Sequence, residues 1–516
     1  MAVERQSSAL PPAQPSYILR GHASQIHNVQ FVRQNTRLLT GDADGWVVFW
    51  KVETKRALAV WKAHDGAILG TAEWGNEKII THGRDNSLRI WQLRPADESA
   101  LPTVLPAENA ADQQSKPWLL HTLPVNTLNF CAFSMCFERP PETNRLSGIT
   151  PDAVLPLTSD DSILVAVPAR DDKKMEVYRF PDEKLRFVVP RVQPTDTGMA
   201  MAVRLVHHAG SNNILVLAGF EGGLTTIHRL PQNKSSGLEL AQLVYLSKPH
   251  TQPILSLDVS PDARFYFTSS ADATIAAHRI PELTSDVENK GFSSTDEQNG
   301  NAPFFPTPGE EASTSAGTEP FPSQENLPSK HPLNLSAQDD PPPGAELSTT
   351  PANPLEFGKQ PISSAKISAA PPAGLSSLLS SAPPLPRMKP TPAILPNTTI
   401  QPPFKTSDTK HSGQQSLRVR SDGRLLVTGG WDSRIRIYSA KTLKEVAVLK
   451  WHKEGVYAVD FGAVLGDGDV RGGGQEVCRK ETGLGKLQRQ REEQMQRKHW
   501  VVAGAKDGKV SLWEVF

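Results

Sequence analysis

Short hydrophobic runs that end in a tight polar turn recur seven times along this chain, each with an aromatic or imidazole ring six residues after a turn residue. The clearest copies run from Leu38-Leu39-Thr40-Gly41 through Asp44-Gly45 to Trp50, and from Ile79-Ile80-Thr81 through Asp85 to Trp91. Leu426-Val427-Thr428 through Asp432 to Tyr438, and Val502-Ala503-Gly504 through Asp507-Gly508 to Trp513, repeat the pattern. Weaker copies keep the spacing from Asp172 to Tyr178, Gly222 to His228 and Asp272 to His278. Each reads as a β-hairpin: a β-prone run, Asp/Gly turn chemistry, then a second strand such as Trp46-Val47-Val48-Phe49-Trp50.

A histidine precedes three of the strong copies, at His22, His64 and His452, with another apolar run between it and the hairpin. Each unit is therefore about four strands. A lone four-stranded sheet cannot cover both its faces, whereas sheets packed radially bury them and leave only short edges. A repeat at this period decides the architecture.

The pattern resembles the WD-repeat β-propeller, through Gly21-His22, the run Thr40 to Gly45, and the closing Trp50. The resemblance implies a hydrogen-bonded tetrad of His, Ser/Thr, turn Asp and Trp inside a blade. It falls on His22, Thr40, Asp44 and Trp50 in the first blade, and on His64, Thr81, Asp85 and Trp91 in the second. Partial sets are Thr428, Asp432 and Tyr438 in the sixth, and His452, Asp507 and Trp513 in the seventh. The Asp of the literal Trp-Asp pair is replaced by Lys51, Gln92 and Glu514, and the middle blades, 119–280, depart further.

The expected fold is all-β, a seven-bladed propeller built from 15–280 (blades 1–5) and 411–516 (blades 6 and 7). The last unit stops after its third strand, so the apolar stretch 15–20 is expected to supply the missing outer strand and remove an open edge. Residues 1–14 read as a disordered start. From 281 to 410 lie more than half of the 44 prolines, with no Trp or Tyr, and this segment reads as a disordered insertion between blades 5 and 6. Its closure entropy grows only logarithmically with length, so it is tolerated. A polar connector spans 94–116. A second insertion, 465–499, carries helix formers but a thin apolar stripe of Leu484, Leu487 and Met495, which favours a solvated loop with a frayed helix over a partner-docking helix.

Charge and candidate chemistry narrow the function by exclusion. Formal net charge is zero, so no basic footprint for nucleic acid stands out. Three cysteines suggest a reducing compartment, and no apolar run reaches membrane-spanning length, so a soluble intracellular protein is expected. There is no phosphate-binding Gly-Lys-Ser/Thr loop, no His-Glu-x-x-His and no Gly-x-Ser-x-Gly. Asp42-Ala43-Asp44-Gly45 lacks the downstream ligands of a calcium loop, and Cys131 and Cys136 have no second pair for zinc. No catalytic, cofactor or metal residues are expected.

A closer resemblance is to the fungal ASTRA-associated protein 1 family. It is carried by Ser16 to His22, Thr40 to Trp50, Thr81 to Leu93 and Ala503 to Trp513, with the degenerate middle and the Pro/Ser-rich insertion. The resemblance implies a non-catalytic nuclear scaffold of the ASTRA complex, linked to chromatin remodelling. Implied neighbours are RuvB-like ATPases, a co-chaperone module for phosphatidylinositol-3-kinase-like kinases, and a large pseudokinase of that class. Nothing implies direct contact with nucleic acid, membrane or a small-molecule substrate. The alternatives are a substrate receptor of a cullin-type ubiquitin ligase, for which Trp91-Gln92-Leu93-Arg94 lacks the usual Asp, and a G-protein β-like scaffold, for which a leading coiled coil is missing.

Overall fold

The computed structural model describes residues 13–108, 115–127, 130–139, 161–193, 195–211, 213–232, 237–283, 399–466 and 483–515. Within them the chain forms seven sheets, each a blade, and in all but the last the four blade strands follow one another in sequence from the inside outward. Blade 1 is Ile26–Val32, Arg37–Asp42, Trp46–Lys51 and Arg56–Lys62. Blade 2 is Ile68–Trp74, Lys78–Gly83, Ser87–Gln92 and Trp118–Pro124. Blade 3 is Ser134–Phe137, Ile163–Pro168, Met175–Phe180 and Lys184–Val189, with Glu239–Leu240 added in parallel at its edge. Blade 4 is Ala200–His207, Ile214–Phe220, Thr225–Arg229 and Gln242–Ser247.

Blade 5 consists of Ile254–Val259, Phe265–Ser270, Thr274–Arg279 and Lys405–Asp408. The last of these corrects an expected boundary. Lys405–Asp408, read from sequence as part of the insertion, pairs with Thr274 to Ala277 as the outer strand of the blade. The interruption therefore lies within blade 5, and 284–398 fall outside the described residues. Blade 6 is Gln414–Val419, Leu425–Gly430, Arg434–Ser439 and Glu445–Lys450. Blade 7 is Val456–Phe461, Trp500–Ala505 and Val510–Glu514, and Tyr17–Leu19 completes it by pairing antiparallel with Val510 to Leu512. The ring is thus closed by its own first strand.

The core is divided among the seams between blades. Seven hydrophobic clusters each join two neighbouring blades among the described residues. Between blades 1 and 2, for example, Phe49 and Trp61 pack with Ile68, Ile79 and Trp91. At the closing seam Leu19 and Ile26 pack with Ala458, Val502 and Leu512. Because the strands are apolar toward their neighbouring blades, the residues turned to the central axis are free to be polar.

The turns explain themselves locally. At Gly45 the backbone has φ +85°, and a Cβ there would stand 2.0 Å from the His64 carbonyl oxygen, so only glycine fits. The two inserted segments that the structure describes brace the ring. In the 94–116 connector, Pro102 accepts the Val60 amide at 2.8 Å, and the Ala107 amide donates to Gly21 at 2.9 Å. The 465–499 insertion holds a helix, Gly483–Gln496, that is docked on the propeller at its C-terminal end. Asn35 Nδ2 donates to the carbonyls of Ala463 (2.7 Å) and Gln496 (2.9 Å), and Trp500 Nε1 donates to Met495 O at 2.9 Å. Met495 packs into the closing seam while Leu487 is exposed.

Candidate protein-interaction site

Two sets of polar side chains shape the propeller. One ties blades 1, 2, 5 and 7 together internally, and the other lines the axis. In blade 1, Trp50 Nε1 donates to Thr40 Oγ1 (2.8 Å), Thr40 Oγ1 lies 2.7 Å from His22 Nε2, and His22 Nδ1 lies 2.8 Å from Asp42 Oδ2. The carboxylate fixes the tautomer: Nδ1 carries the proton toward it, and Nε2 accepts from the threonine. Asp42, not Asp44, is the acid of this tetrad. Asp42 ends its strand fully buried, and its Oδ1 accepts the amides of Asp44 (3.0 Å) and Trp46 (2.9 Å). Asp44 sits in the turn and contributes its amide to that arrangement.

Blade 2 has the set at the expected positions, with Trp91 to Thr81 at 2.8 Å, Thr81 to His64 at 2.7 Å and His64 to Asp85 at 2.8 Å. Blade 5 holds one of which the sequence pattern marks only Asp272 and His278. His250 bridges Thr268 (2.8 Å) and Asp272 (3.2 Å), and His278 takes the Trp position at 3.4 Å from Thr268. The signal was available, since His250 precedes Thr268 by the same eighteen residues that separate His22 from Thr40.

Blade 7 moves the hydroxyl across a strand pair. Ala503 stands at the threonine position and its cross-strand partner Ser511 supplies the oxygen, 2.7 Å from His452 Nε2 and 2.8 Å from Trp513 Nε1. Asp507 stays 3.7 Å from His452. In blade 6 the set Thr428, Asp432 and Tyr438 is not built around a histidine, and its threonine and aspartate take other partners. Thr428 donates to Gln414 (2.7 Å) and Asp432 pairs with Arg436 (3.0 Å), and Tyr438 is buried beside them.

Burial opposes ionisation of Asp85 and Asp272, but hydrogen bonds from His64 and Ser87 to the first, and from His250 and Thr251 to the second, overcome it. Both carboxyls are held below the usual range, Asp272 at about 2. A depressed folded-state pKa contributes stability above the unfolded value near ~4 that is lost as pH falls below it. The melting midpoint should therefore drop as pH is lowered from about 5 toward about 2, and Asp85→Asn with Asp272→Asn should shrink that drop. An acid dependence identical in the double variant would show that these carboxylates do not govern it.

Around the axis, side chains of one inner strand cap backbone amides of the next. Leu205 N donates to Ser134 Oγ (2.9 Å), Leu417 N to Ser256 Oγ (3.1 Å), Val419 N to Asp258 Oδ2 (2.8 Å) and Phe31 N to Asp460 Oδ2 (2.8 Å). Thr71 Oγ1 donates to Asn28 Oδ1 at 2.6 Å. Four of these inner strands carry charge at one level, set by their pairing registers: Arg204, Asp258, Arg418 and Asp460 in blades 4 to 7. The signs alternate, and Arg204 Nε donates to Asp258 Oδ1 at 3.1 Å. Burial pushes Asp460 up to about 6, against the pull of Arg418, and brings Arg418 down to about 10.

Above this belt the axis widens to a cavity of about 900 Å³ whose rim includes His27, Phe130, Trp431 and Tyr457, and whose wall includes Arg204 and Arg418. Trp431, in the hairpin turn of blade 6, is about half exposed and lies over Gly413, where a Cβ would meet its ring at 2.1 Å. Phe130 is also exposed and stacks beneath Arg84 at 4.4 Å. Exposed Trp, Tyr and Arg held by a rigid frame are the side chains that dominate protein–protein contacts. Among the described residues no group of His, Cys, Asp and Glu could hold a metal ion. Burial raises the thiols of Cys131 and Cys136 to about 12, which removes them as nucleophiles.

Fold and tetrads define a seven-bladed propeller of the WD-repeat type, with an axial cavity and an aromatic mouth. A family model described as ASTRA-associated protein 1 matches residues 15–460. Over 99% of both chains, this protein is 38% identical to ASTRA-associated protein 1 of Pyricularia oryzae. It is 34% identical to the protein of that name from Aspergillus niger over the full length of both. The Verticillium alfalfae protein is 34% identical over 97% of this chain and 93% of its own. The chain belongs to the ASTRA-associated protein 1 family.

Proposed function

We propose that this chain is a non-catalytic scaffold subunit of a nuclear ASTRA complex, acting in chromatin remodelling. Its neighbours there are RuvB-like ATPases, the co-chaperone module for phosphatidylinositol-3-kinase-like kinases, and a large pseudokinase of that class. The observation that carries this reading is full-length similarity to proteins named for ASTRA association. A closed ring with braced seams supports it, because such a frame holds several loops rigidly and presents them to several partners at once. Zero net charge argues that a chromatin role runs through proteins rather than through phosphate contacts. No helix among the described residues is long and apolar enough to cross a membrane.

The purified chain should show at most weak, sequence-independent binding to labelled duplex DNA at physiological salt, and should not co-elute with a purified cullin adaptor. Tight DNA binding would contradict the protein-mediated role. Co-elution with the adaptor would transfer the chain to the ubiquitin-ligase class.

A further inference from the structure

Beneath the wide mouth lies a narrow chamber of about 150 Å³, lined among others by Gln30, Thr71, Ser134, Arg204, Arg418 and Asp460. Its charges are unevenly satisfied. Asp258 is committed on both oxygens, to Arg204 Nε (3.1 Å) and to the Val419 amide (2.8 Å). Asp460 spends Oδ2 on the Phe31 amide, across the closing seam. Arg418 is left with Leu417 O, its own neighbour, at 3.2 Å, and no carboxylate among the described residues lies within ion-pair distance of it. A guanidinium that faces this chamber with only a backbone carbonyl for a partner keeps donors unused, and a planar fork of donors is the group that best receives a carboxylate or phosphoryl oxygen.

We propose that the floor of the channel binds a compact oxyanion, a carboxylate or phosphoryl group, between the Arg204 and Arg418 guanidiniums. Ser134, whose Oγ accepts the Leu205 amide, has its own hydroxyl proton to offer in the same chamber. The aromatic mouth directly above, with Trp431 and Tyr457, suits the group's arrival on a peptide with apolar flanks. The site stands independently of membership in the ASTRA assembly, so failure of one leaves the other untouched.

Asp460 sets the pH response. The charged groups around it are Arg418 from blade 6, Asp258 from blade 5 and, beyond that, Arg204 from blade 4, while blade 1 presents the Phe31 amide and the neutral Asn28 and Gln30. When ionised, Asp460 competes with the ligand for Arg418. Protonation removes that competition, so anion affinity should rise as pH falls through about 6.

The test is isothermal titration of the full chain with sodium sulfate, an anion fully ionised throughout, at about pH 5.5 and about pH 8. Tighter binding at the lower pH is expected, with a loss of about tenfold or more in Arg418→Gln. Asp460→Asn keeps an acceptor for the Phe31 amide, and should bind sulfate more tightly and lose the pH dependence. A general loss of structure cannot produce these opposite effects. Absence of saturable sulfate binding in the wild type, or unchanged affinity in folded Arg418→Gln, would overturn the proposal. Should Arg418→Gln fail to fold, Asp460→Asn decides, and no gain in affinity there overturns it. A phosphoserine peptide with leucine flanks identifies the source. Binding tighter than sulfate that Trp431→Ala reduces to the sulfate level, with sulfate itself unaffected, supports delivery on a protein; a peptide that gains nothing over sulfate overturns the peptide arm and leaves a free-anion site.

Discussion

Deletion of residues 1–20 should convert a soluble protein into an aggregating one, whereas deletion of 1–12 should leave its solubility and melting midpoint unchanged. The larger deletion removes Tyr17–Leu19 and with it the antiparallel pairing to Val510, Ser511 and Leu512. It also removes the Ser16 amide bond to Leu512 O (2.8 Å) and takes the buried Leu19 out of the closing seam. What remains is a three-stranded blade whose last strand shows unpaired amides and carbonyls beside an opened apolar seam, a template for pairing between molecules. Light scattering and the soluble fraction after expression read the outcome. Equal behaviour of the two truncations would remove the case for a strand shared between the chain's ends.

The second large effect separates two neighbouring acids. Asp42→Ala should destabilise the propeller by about 3 kcal/mol, because it strands a buried imidazole N–H and two backbone amides that the carboxylate now satisfies. That corresponds to a fall of roughly 4 °C in the melting midpoint of a ring this size. Asp44→Ala, in the turn, should stay within about 0.5 kcal/mol. Thermal melts of the two variants side by side decide it. A reversed order would return the acid of the tetrad to Asp44.

These two predictions also mark what was legible in the sequence. The closing strand could be read because an apolar stretch stands before the first Gly-His while the last unit lacks a strand, and an unfilled edge has few solutions. His22, Thr40 and Trp50 could be read because their spacing is set by strand length and turn type. The acid could not be read from spacing alone. In blade 2 it follows the threonine by four residues, at Asp85, and the same interval in blade 1 points to Asp44. Blade 1 has a second acid at the end of its strand, Asp42, and burial there selects it. In blade 7 the hydroxyl crossed to Ser511, which only the pairing with Ala503 reveals.

Other features depend on contacts between distant segments. Lys405–Asp408 is polar and follows Pro402-Pro403, so nothing local distinguishes it from the insertion; its identity as a strand comes from Thr274 to Ala277. The docked end of the Gly483–Gln496 helix depends on Asn35, in a turn of the first blade. The axial belt left a local trace in Val203-Arg204-Leu205, Leu257-Asp258-Val259, Leu417-Arg418-Val419 and Val459-Asp460-Phe461, each a charge flanked by apolar residues. Such a triplet fits any half-buried strand with its charge in solvent. Only the ring shows that the four charges meet on one level inside it.

The scaffold reading is tested most directly by what the protein holds in the cell. The tagged full chain, purified after nuclease treatment and analysed by mass spectrometry, should bring down the RuvB-like ATPases and the kinase co-chaperone module in amounts that nuclease does not reduce. Their absence, with a cullin adaptor recovered in their place, would contradict it.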